Sequence, residues 1–325
     1  MLGQFLEQPF GLLLGDPSNP DLAAAAVVLE RRYPIGPFPF PHHPPEDGAD
    51  KRLIEILDAI RALDMLVDQP VDLVEKLASQ MTGKPAIFQD REQVLTEPKN
   101  VIVTGAAGSL GIAIAEDLKS DGWNVIGIDL KRSPACETIL IDLSDPNAIR
   151  AGFDAIAREF SRLDGLVNNA GVFLGKGWEE IADNEVSRTL DVNLRAPLLL
   201  STLFARRAIA QATPGAIVNV ASVAGREPGH DIVYAASKAA LIQLTRGLGR
   251  QLAGDGIRVN AVAPGVIEGQ MADRIPEPGR SAYMQRTPMK RFAEPAEIAG
   301  VVSFLLSSRS SYLAGAVIDA NGGLF

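Results

Sequence analysis

The sequence predicts an α/β protein, a doubly wound parallel sheet of about seven strands preceded by a mainly helical extension. From residue 99 onward, short β-branched runs alternate with longer stretches of helical periodicity, as in parallel strands joined by crossover helices. The first 98 residues differ in composition, since they hold 12 of the 22 prolines and carry 16 acidic against 8 basic residues. We therefore predict two regions, a proline-rich helical extension over residues 1–98 and an α/β domain over residues 99–325.

Three stretches of the extension have apolar residues at helical spacing, residues 20–32, 51–67 and 71–81. The stripe from Leu53 to Leu66 needs a surface to pack on, and three short helices offer little core of their own. We expect the extension to pack on the following domain or across a subunit interface, in a structural role. Its His42-His43 pair has no cysteine or third histidine nearby, so we interpret the pair as part of a linker rather than a metal site.

The α/β domain contains seven candidate strands, each a short apolar or β-branched run. They are residues 100–104, 124–129, 138–141, 165–168, 216–220, 258–262 and 316–318. Doubly wound sheets bind ligands at the carboxyl ends of their strands. We therefore look for functional residues directly after each run.

Composition excludes several classes of function. The net charge of -9 and the pI near 5.0 are the opposite of what phosphate-backbone binding needs, so no nucleic acid partner is expected. No apolar run approaches the roughly 18 residues of a membrane span, and the N-terminus lacks the pattern of a signal peptide. A single cysteine, Cys136, cannot form an internal disulfide. These observations predict a cytoplasmic protein with no membrane association.

A glycine-rich turn follows the first strand, in the order Thr104-Gly105-Ala106-Ala107-Gly108-Ser109-Leu110-Gly111. A predicted helix over residues 112–119 comes next. Glycines at such a junction let the backbone approach a pyrophosphate, which the helix N-terminus can then bind. The second strand ends in Asp129, 24 residues after Gly105, where a carboxylate can bind the adenosine ribose hydroxyls. This pattern indicates a Rossmann-type dinucleotide-binding domain.

Asp129 also bears on the choice of cofactor, because its charge would repel a 2'-phosphate. NAD is therefore predicted over NADP, although Lys131 and Arg132 leave NADP open as the alternative. After the third strand, Asp142 and Leu143 are candidates for contacting the adenine. The alternative for this stretch is an ordinary helix cap, because Asp145-Pro146 has the sequence of an N-cap followed by a first helical residue.

Tyr234 and Lys238 are four residues apart, so on a helix they share one face. A free tyrosine has a pKa near 10, and a lysine ammonium about 4 Å away can lower it enough for acid-base work near neutral pH. Ser222 lies twelve residues before Tyr234, at the end of the fifth strand, where its hydroxyl could stabilise an alkoxide-like charge. The chemistry requires no metal.

These residues resemble the short-chain dehydrogenase/reductase family in its compact form of about 250 residues. The resemblance covers residues 100–325, and the motifs occur in a specific order and spacing. They are the glycine turn, Asn168-Asn169-Ala170-Gly171, Asp191-Val192-Asn193, Ser222, Tyr234-Ala235-Ala236-Ser237-Lys238, Asn260-Ala261-Val262-Ala263-Pro264-Gly265 and Asp319-Ala320-Asn321-Gly322-Gly323.

The resemblance implies that Asn193 joins the catalytic set by holding a water that relays protons to the lysine. It also implies a cofactor site whose residues include Tyr234 and Lys238 themselves. The other members of that site are Gly105, Gly108, Ser109, Leu110, Gly111, Asp129, Asp142, Leu143, Asn169, Ala170, Gly171, Pro264, Gly265 and Ile267.

Two departures from the family pattern bear on this site. The middle glycine of the turn is Gly108, one position before the usual place, which Ser109 occupies here. No threonine follows Pro264-Gly265, and Gln270 is the candidate to replace its contact with the nicotinamide.

Together these residues predict an NAD(H)-dependent oxidoreductase that interconverts a secondary alcohol and a ketone, both small molecules. One alternative is an NADPH-dependent 3-oxoacyl thioester reductase, and another is a non-catalytic nucleotide-binding scaffold or regulator. A lid over residues 266–292 (the lid segment) would border the substrate. Arg226, His230 and Asp231 could face it too, although exposed loop charge is the favoured interpretation. By resemblance, helices over residues 185–211 and 232–252 would pair copies into homodimers or homotetramers.

Overall fold

The computed structural model describes residues 98–325 of the chain. The three helical stretches and the histidine pair predicted before residue 98 lie outside the described residues, and the proposed boundary of the extension falls at the edge of the described range. Those interpretations remain predictions.

Over residues 98–325 the chain forms one sheet of seven parallel strands in the order β3-β2-β1-β4-β5-β6-β7. The strands are β1 Asn100–Thr104, β2 Asn124–Asp129, β3 Glu137–Leu140, β4 Gly165–Asn168, β5 Gly215–Val220, β6 Ile257–Pro264 and β7 Val317–Ala320. The strand order reverses direction between β1 and β4, which is where such folds bind their ligands. The predicted doubly wound fold is confirmed; three strands have the predicted bounds, and the other four differ from the prediction by one or two residues at an end.

Seven α-helices accompany this sheet in the described range. They are α1 Ser109–Ser120, α2 Pro146–Glu159, α3 Asp183–Leu190, α4 Ala196–Ala210, α5 Ile232–Leu252, α6 Gly279–Arg286 and α7 Pro295–Leu306. Helices α1 and α7 pack on one face of the sheet, and α2, α4 and α5 contribute to the core on the other.

Both faces of the central strands are buried, and most of their side chains are apolar, with Asn168 and Asn219 as buried polar exceptions. In β1, Ile102 joins the core with α2 and α4, whereas Val101 and Val103 join the core with α1 and α7. The alternation of strand side chains thus divides one apolar run between two cores.

The helix predicted over residues 185–211 is present as one continuous helical stretch over residues 183–210, but the structure contains a π-helical irregularity that the prediction lacked. Helix α3 ends at Leu190, a π-helical segment covers Asp191–Arg195, and α4 begins at Ala196. The N–H of Ala196 donates to the carbonyl of Asp191, five residues back. Pro197 explains the irregularity, since it has no N–H to offer the carbonyl of Asn193, four residues earlier. Such π-turns are frequent at functional sites.

Two other helix predictions have clear outcomes. Helix α5 spans residues 232–252 as predicted. Helix α1 begins at Ser109, three residues earlier than expected, so its first turn lies inside the glycine-rich motif. None of the helices in the described range is long and apolar enough to cross a membrane.

Candidate active site

The glycine-rich turn joins β1 to α1 at the carboxyl edge of the sheet. Gly105 has φ +66°, in the left-handed region that favours glycine. A Cβ on Gly111 would lie 2.0 Å from the carbonyl oxygen of Gly105, so only glycine fits there. The turn is therefore packed against the first turn of α1, as the motif predicts.

The turn after β4 is hydrogen-bonded to this glycine turn. The hydroxyl of Thr104 accepts hydrogen bonds from the backbone N–H groups of Asn169 and Ala170, at 3.0 Å each. The Asn169 amide donates to the carbonyls of Thr104 and Gly105, at 2.9 and 3.1 Å. These bonds place Asn169, Ala170 and the following Gly171 beside the glycine turn, where the sequence predicted them.

Asp129 lies at the end of β2, against the same turn. Its Oδ2 accepts a hydrogen bond from the N–H of Ala107 at 2.9 Å, and its Oδ1 accepts from the N–H groups of Leu130 and Lys131 at 2.7 and 3.2 Å. The carboxylate is thus held at the edge of the glycine turn. Lys131 and Arg132 are exposed.

The structure separates the two interpretations of the stretch after β3. Asp145 is the N-cap of α2, since its side chain accepts from the N–H of Asn147. Asp142 is exposed and takes no part in that cap. It accepts two hydrogen bonds from Ser144, which hold the pKa of its carboxyl below the usual value. Asp142 is therefore an ionised acceptor at the carboxyl edge, beside the buried Leu143.

The residues of this edge fit a dinucleotide. Helix α1 has twelve residues, and its N-cap, Gly108, supplies no side-chain hydrogen bond. The first N–H groups of α1, which include those of Ser109 and Leu110, thus have no intrahelical acceptor and are available to an anion. Gly105 and Gly111 leave no Cβ in the way, and the Asp129 carboxylate at the edge of the turn would accept from a ribose hydroxyl.

Three polar side chains meet at the end of β5. Ser222 follows this strand, and its Oγ accepts from the N–H of Ala224 at 3.1 Å. Lys238, on α5, donates from Nζ to the carbonyl of Val220 at 2.7 Å. Its Nζ lies 5.6 Å from the centre of the Tyr234 ring. Ser222, Tyr234 and Lys238 are therefore neighbours, as their spacing predicted.

The protein by itself raises the pKa of Tyr234. Burial raises this pKa to about 12, the charge of Asp231 adds to the increase, and the Ser222 hydroxyl opposes it. Burial also lowers the pKa of Lys238 to about 8. The expected lowering of the tyrosine pKa is therefore not found in the protein alone, where burial of Tyr234 is the largest influence on this pKa.

Asp231 positions the tyrosine. It is 3% exposed and is the N-cap of α5, where its Oδ1 accepts from the N–H of Tyr234 at 3.0 Å. Its Oδ2 accepts from the N–H groups of Leu174 and Gly175, at 2.9 and 3.2 Å. The interpretation of Asp231 as exposed charge is therefore wrong. An aspartate directly before a predicted helix was the sequence signal for this role.

The other two polar candidates before α5, Arg226 and His230, have no hydrogen bond to this cap among the described residues. Arg226 pairs with Asp319, Nε to Oδ1, at 3.0 Å, and His230 is exposed. Phe173, which sequence reasoning missed, packs its ring edge-on to Tyr234 with 5.1 Å between ring centres. No spacing along the sequence relates Phe173 to Tyr234, because the fold alone brings them together.

Asn193 lies in the π-helical segment and is completely buried. Its side-chain amide accepts from the N–H of Val172 at 2.7 Å and donates to the carbonyl of Val172 at 2.9 Å. The same amide nitrogen donates to the hydroxyl of Ser237 at 3.0 Å. Its side chain therefore holds the loop after β4 against α5, and its role in a proton relay stays a prediction.

The strand β6 and the lid segment complete the carboxyl edge. Pro264 ends β6, and the N–H of Gly265 donates to the carbonyl of Ala320. Ile267 pairs with Ala293 in an isolated bridge. A Cβ on Gly269 would lie 2.5 Å from the Ser109 hydroxyl oxygen, so the lid segment runs directly beside the glycine turn. Gln270, the candidate nicotinamide contact, is exposed.

The described domain matches one family model and many known proteins. The family model is described as enoyl-(acyl carrier protein) reductase and covers residues 105–325. The 3-oxoacyl-(acyl-carrier-protein) reductase FabG of Thermotoga maritima is 34% identical over 243 residues, which are 70% of this chain and 98% of that protein. Galactitol 2-dehydrogenase of Agrobacterium fabrum is 34% identical over 248 residues, 69% of this chain and 96% of that protein.

Solved structures give the same result. A 4-hydroxyisoleucine dehydrogenase complexed with NADH is 28% identical, with a TM-score of 0.64, and the match covers 70% of this chain and 98% of that one. A putative 2-deoxy-D-gluconate 3-dehydrogenase from Agrobacterium tumefaciens with bound NADP is 32% identical, also with a TM-score of 0.64, and the match covers 70% and 97%. One of these similar structures holds NADH and the other NADP.

Replacing Gly111 by alanine tests the glycine turn. The added Cβ would collide with the Gly105 carbonyl, so Gly111→Ala should weaken NADH binding by about tenfold or more and lower the melting temperature. Fluorescence titration with NADH and thermal unfolding measure the two effects. Gly247→Ala, in the interior of α5 with open space around it, is the matched control and should leave NADH affinity unchanged. Equal affinities for both variants would contradict the role of this turn.

Proposed function

The chain belongs to the short-chain dehydrogenase/reductase family and is an NAD(P)-dependent oxidoreductase, and on that premise we propose that it interconverts a secondary alcohol and a ketone with NAD(H). The observation that carries this proposal is the meeting of Ser222, Tyr234 and Lys238 at the end of β5. A scaffold without catalysis would not need a buried lysine beside a half-buried tyrosine, because burying an ammonium is costly.

The names of the relatives support this reaction type. Reduction of a 3-oxoacyl group and dehydrogenation of galactitol at position 2 both interconvert a ketone and a secondary alcohol. The two relatives are equally similar to this chain, so their names do not favour one substrate. An NADPH-dependent 3-oxoacyl thioester reductase therefore stands as the second candidate, and it differs from the first in its cofactor.

Each catalytic side chain has a role that follows from its environment. NAD(H), when bound along the glycine turn and Asp129, accepts or donates the hydride. Tyr234 holds its proton at neutral pH because burial raises its pKa to about 12, which suits donation to a ketone oxygen. The hydroxyl of Ser222, beside Tyr234, can donate a hydrogen bond to that same oxygen. The ammonium of Lys238 stabilises the phenolate that remains after the proton is transferred.

The preference for NAD rests on Asp129. Its carboxylate is held against the glycine turn by the N–H of Ala107, so a 2'-phosphate at this edge would meet a negative charge. Lys131 and Arg132 follow Asp129 in the sequence and are exposed. An enzyme that binds NADP would use these two residues to bind the 2'-phosphate. Since NADH and NADP both occur in similar structures, the charge of Asp129 is what favours NAD(H).

We further infer that copies of the chain associate as homodimers or homotetramers. Leu198 and Ile209 on α4 are 43% and 45% exposed, whereas Leu200 and Phe204 of the same helix are buried in the core. Exposed leucine and isoleucine on a long helix favour burial against a second copy. This association is typical of the family.

Replacing Asp129 by serine tests the choice of cofactor. The wild-type protein should turn over NADH better than NADPH, and Asp129→Ser should reduce the ratio of their kcat/KM values by about tenfold because the repelling charge is lost. Steady-state kinetics with both cofactors measure this ratio. Asp142→Ser is the matched control, since its loss should weaken both cofactors equally. A wild-type preference for NADPH would contradict the proposal and favour the second candidate.

Replacing Tyr234 by phenylalanine tests the reaction. The variant keeps the ring but loses the proton donor, so kcat should fall by about 10²- to 10⁴-fold while NADH affinity stays nearly unchanged. Lys238→Ala should reduce both kcat and NADH affinity, because its ammonium stabilises the phenolate and binds the cofactor. Tyr312→Phe, at a fully exposed tyrosine, is the control for loss of a hydroxyl. Near-normal turnover by the Tyr234→Phe variant would remove the proposed mechanism.

The pKa of Lys238 predicts a pH dependence. Burial lowers this pKa to about 8, so the side chain is charged below that pH and neutral above it. Loss of the charge removes the stabilisation of the phenolate, and kcat/KM for ketone reduction should therefore fall as the pH rises through about 8. In Lys238→Arg, whose guanidinium does not titrate in this range, any residual activity should lack the inflection. A wild-type profile that stays level to about pH 10 would contradict this assignment.

A further inference from the structure

Arg274 is a cation of the lid segment to which the catalytic scheme gives no role. It ends the short 3-10 turn Ala272–Arg274, and its side chain is exposed. One guanidinium nitrogen, Nη1, donates to the carbonyl of Phe173 at 3.0 Å. No carboxylate of the described residues forms an ion pair with Arg274. The guanidinium is thus held at one nitrogen and keeps its other N–H groups for a ligand.

The three-residue segment that begins at Phe173 connects Arg274 to the catalytic tyrosine. The ring of Phe173 packs edge-on to Tyr234, with 5.1 Å between ring centres. The N–H groups of the next two residues donate to Asp231, the N-cap of α5. Arg274 contacts the same segment, because it donates to the Phe173 carbonyl and because a Cβ on Gly175 would lie 2.6 Å from its own carbonyl oxygen. Arg274 is therefore separated from Tyr234 by a single residue.

The other four cations of the lid segment differ from Arg274. Lys290 donates from Nζ to the carbonyl of Gln285, and it makes no hydrogen bond to Phe173 or Tyr234 among the described residues. The remaining three are each paired with a carboxylate, so their charge is already neutralised. These pairs are Arg280 with Asp273 and Glu268, Arg286 with Glu227, and Arg291 with Glu297.

The carboxylates around this part of the site are bound to other groups or lie in water. Asp231 is buried, and both of its oxygens accept backbone N–H groups. A substrate carboxylate at Arg274 would thus displace no protein carboxylate, and the repulsion from exposed ones is screened by solvent. The other carboxylates are Glu185, paired with Lys176, Glu277, which accepts from the N–H of Ser281, and the two on the exposed turn Trp178–Glu180.

The shape and position of this cation indicate which kind of anion it binds. A guanidinium has a planar fork of N–H groups that matches the two oxygens of a carboxylate. Phosphate is the other anion that suits this fork. In an acyl thioester, however, the phosphates are separated from the oxo group by the long arm of the carrier. Since only Phe173 separates Arg274 from Tyr234, the anion has to lie a few carbon atoms from the reacting ketone, which favours a carboxylate of the substrate itself.

We propose that Arg274 determines specificity by binding a carboxylate of the substrate, so that the substrates are oxo acids and the corresponding hydroxy acids. This inference rests on the proposed ketone and alcohol chemistry, and it names a second recognition point on the substrate. The guanidinium is exposed, so an uncharged substrate leaves it hydrated. Such a substrate therefore loses the attraction of the pair without a further penalty.

The test compares 4-oxopentanoate and 5-oxohexanoate with their methyl esters, which have the same ketone but no charge. With NADH, the wild-type protein should reduce at least one of these acids with a kcat/KM about tenfold or more above that of its ester. Arg274→Gln should remove this preference, mainly by raising KM for the acid. The glutamine amide can still donate to the Phe173 carbonyl, so the value for the ester should change by less than about twofold.

Two further variants serve as controls. Arg274→Lys keeps the charge but loses the fork, so it should keep part of the preference for the acid. Arg250→Gln makes the same change at an exposed arginine in the last turn of α5, which forms no ion pair among the described residues. This matched control should keep the wild-type preference.

The outcomes separate this inference from the proposed function. Equal reduction of acids and esters by the wild-type protein, or an unchanged preference in Arg274→Gln, would reject the role of Arg274 while leaving the reaction intact. A loss with acetoacetyl-CoA but not with the oxo acids would assign Arg274 to phosphate and also reject the inference.

If the wild-type protein reduced none of these ketones, the reaction would be in question, and binding would then decide the role of Arg274. In that case at least one oxo acid, but not its ester, should raise the melting temperature of the NADH complex in the wild-type protein and not in Arg274→Gln. No stabilisation by either acid would reject the inference.

Discussion

The active site depends on one buried carboxylate, that of Asp231. Its two oxygens accept three backbone hydrogen bonds, one from the first turn of α5 and two from the loop after β4. A buried carboxylate needs such donors to compensate for lost hydration. Because the donors come from separate elements, the hydrogen bonds to Asp231 also hold α5 against that loop. Tyr234 and Lys238, one turn apart on α5, are positioned by the same contact.

The burial of these side chains favours one direction of the proposed reaction over the other. It raises the pKa of Tyr234 to about 12 and lowers that of Lys238 to about 8, so each group is moved toward its neutral form. In the protein alone, the phenol of Tyr234 thus keeps its proton, and the amine of Lys238 binds its extra proton more weakly than a free lysine does. In the proposed reduction, a ketone that needs a proton would meet a donor that is fully protonated. In the reverse direction the site has to stabilise a phenolate, and Ser222 and Lys238 are the groups in place to do so.

The features that could be predicted from the sequence are those that depend on local patterns of residues. Alternating apolar runs gave the strands, and the order of the motifs brought Ser222, Tyr234 and Lys238 together. Contacts between distant segments were not predictable, because no periodicity relates Phe173 to Tyr234. Asp231 was misjudged because its neighbours in the sequence are polar and loop-like, whereas its burial comes from the loop after β4. The π-helical segment was missed because a helical pattern with one proline near its middle does not show whether the helix ends, bends or widens.

That π-helical segment determines in which direction the side chains of α4 point around the helix axis, relative to those of α3. Each residue advances an α-helix by about 100° around its axis. A single extra residue in one turn therefore rotates everything beyond it by a similar angle. With this offset, Asn193 points to the loop after β4 while Phe204, farther along, points into the core under the sheet. Deleting one residue between Asn193 and Phe204 would restore a regular helix, but one of these two side chains would then point away from its partner. The π-helical segment therefore allows one continuous helix to contribute both to the site and to the core.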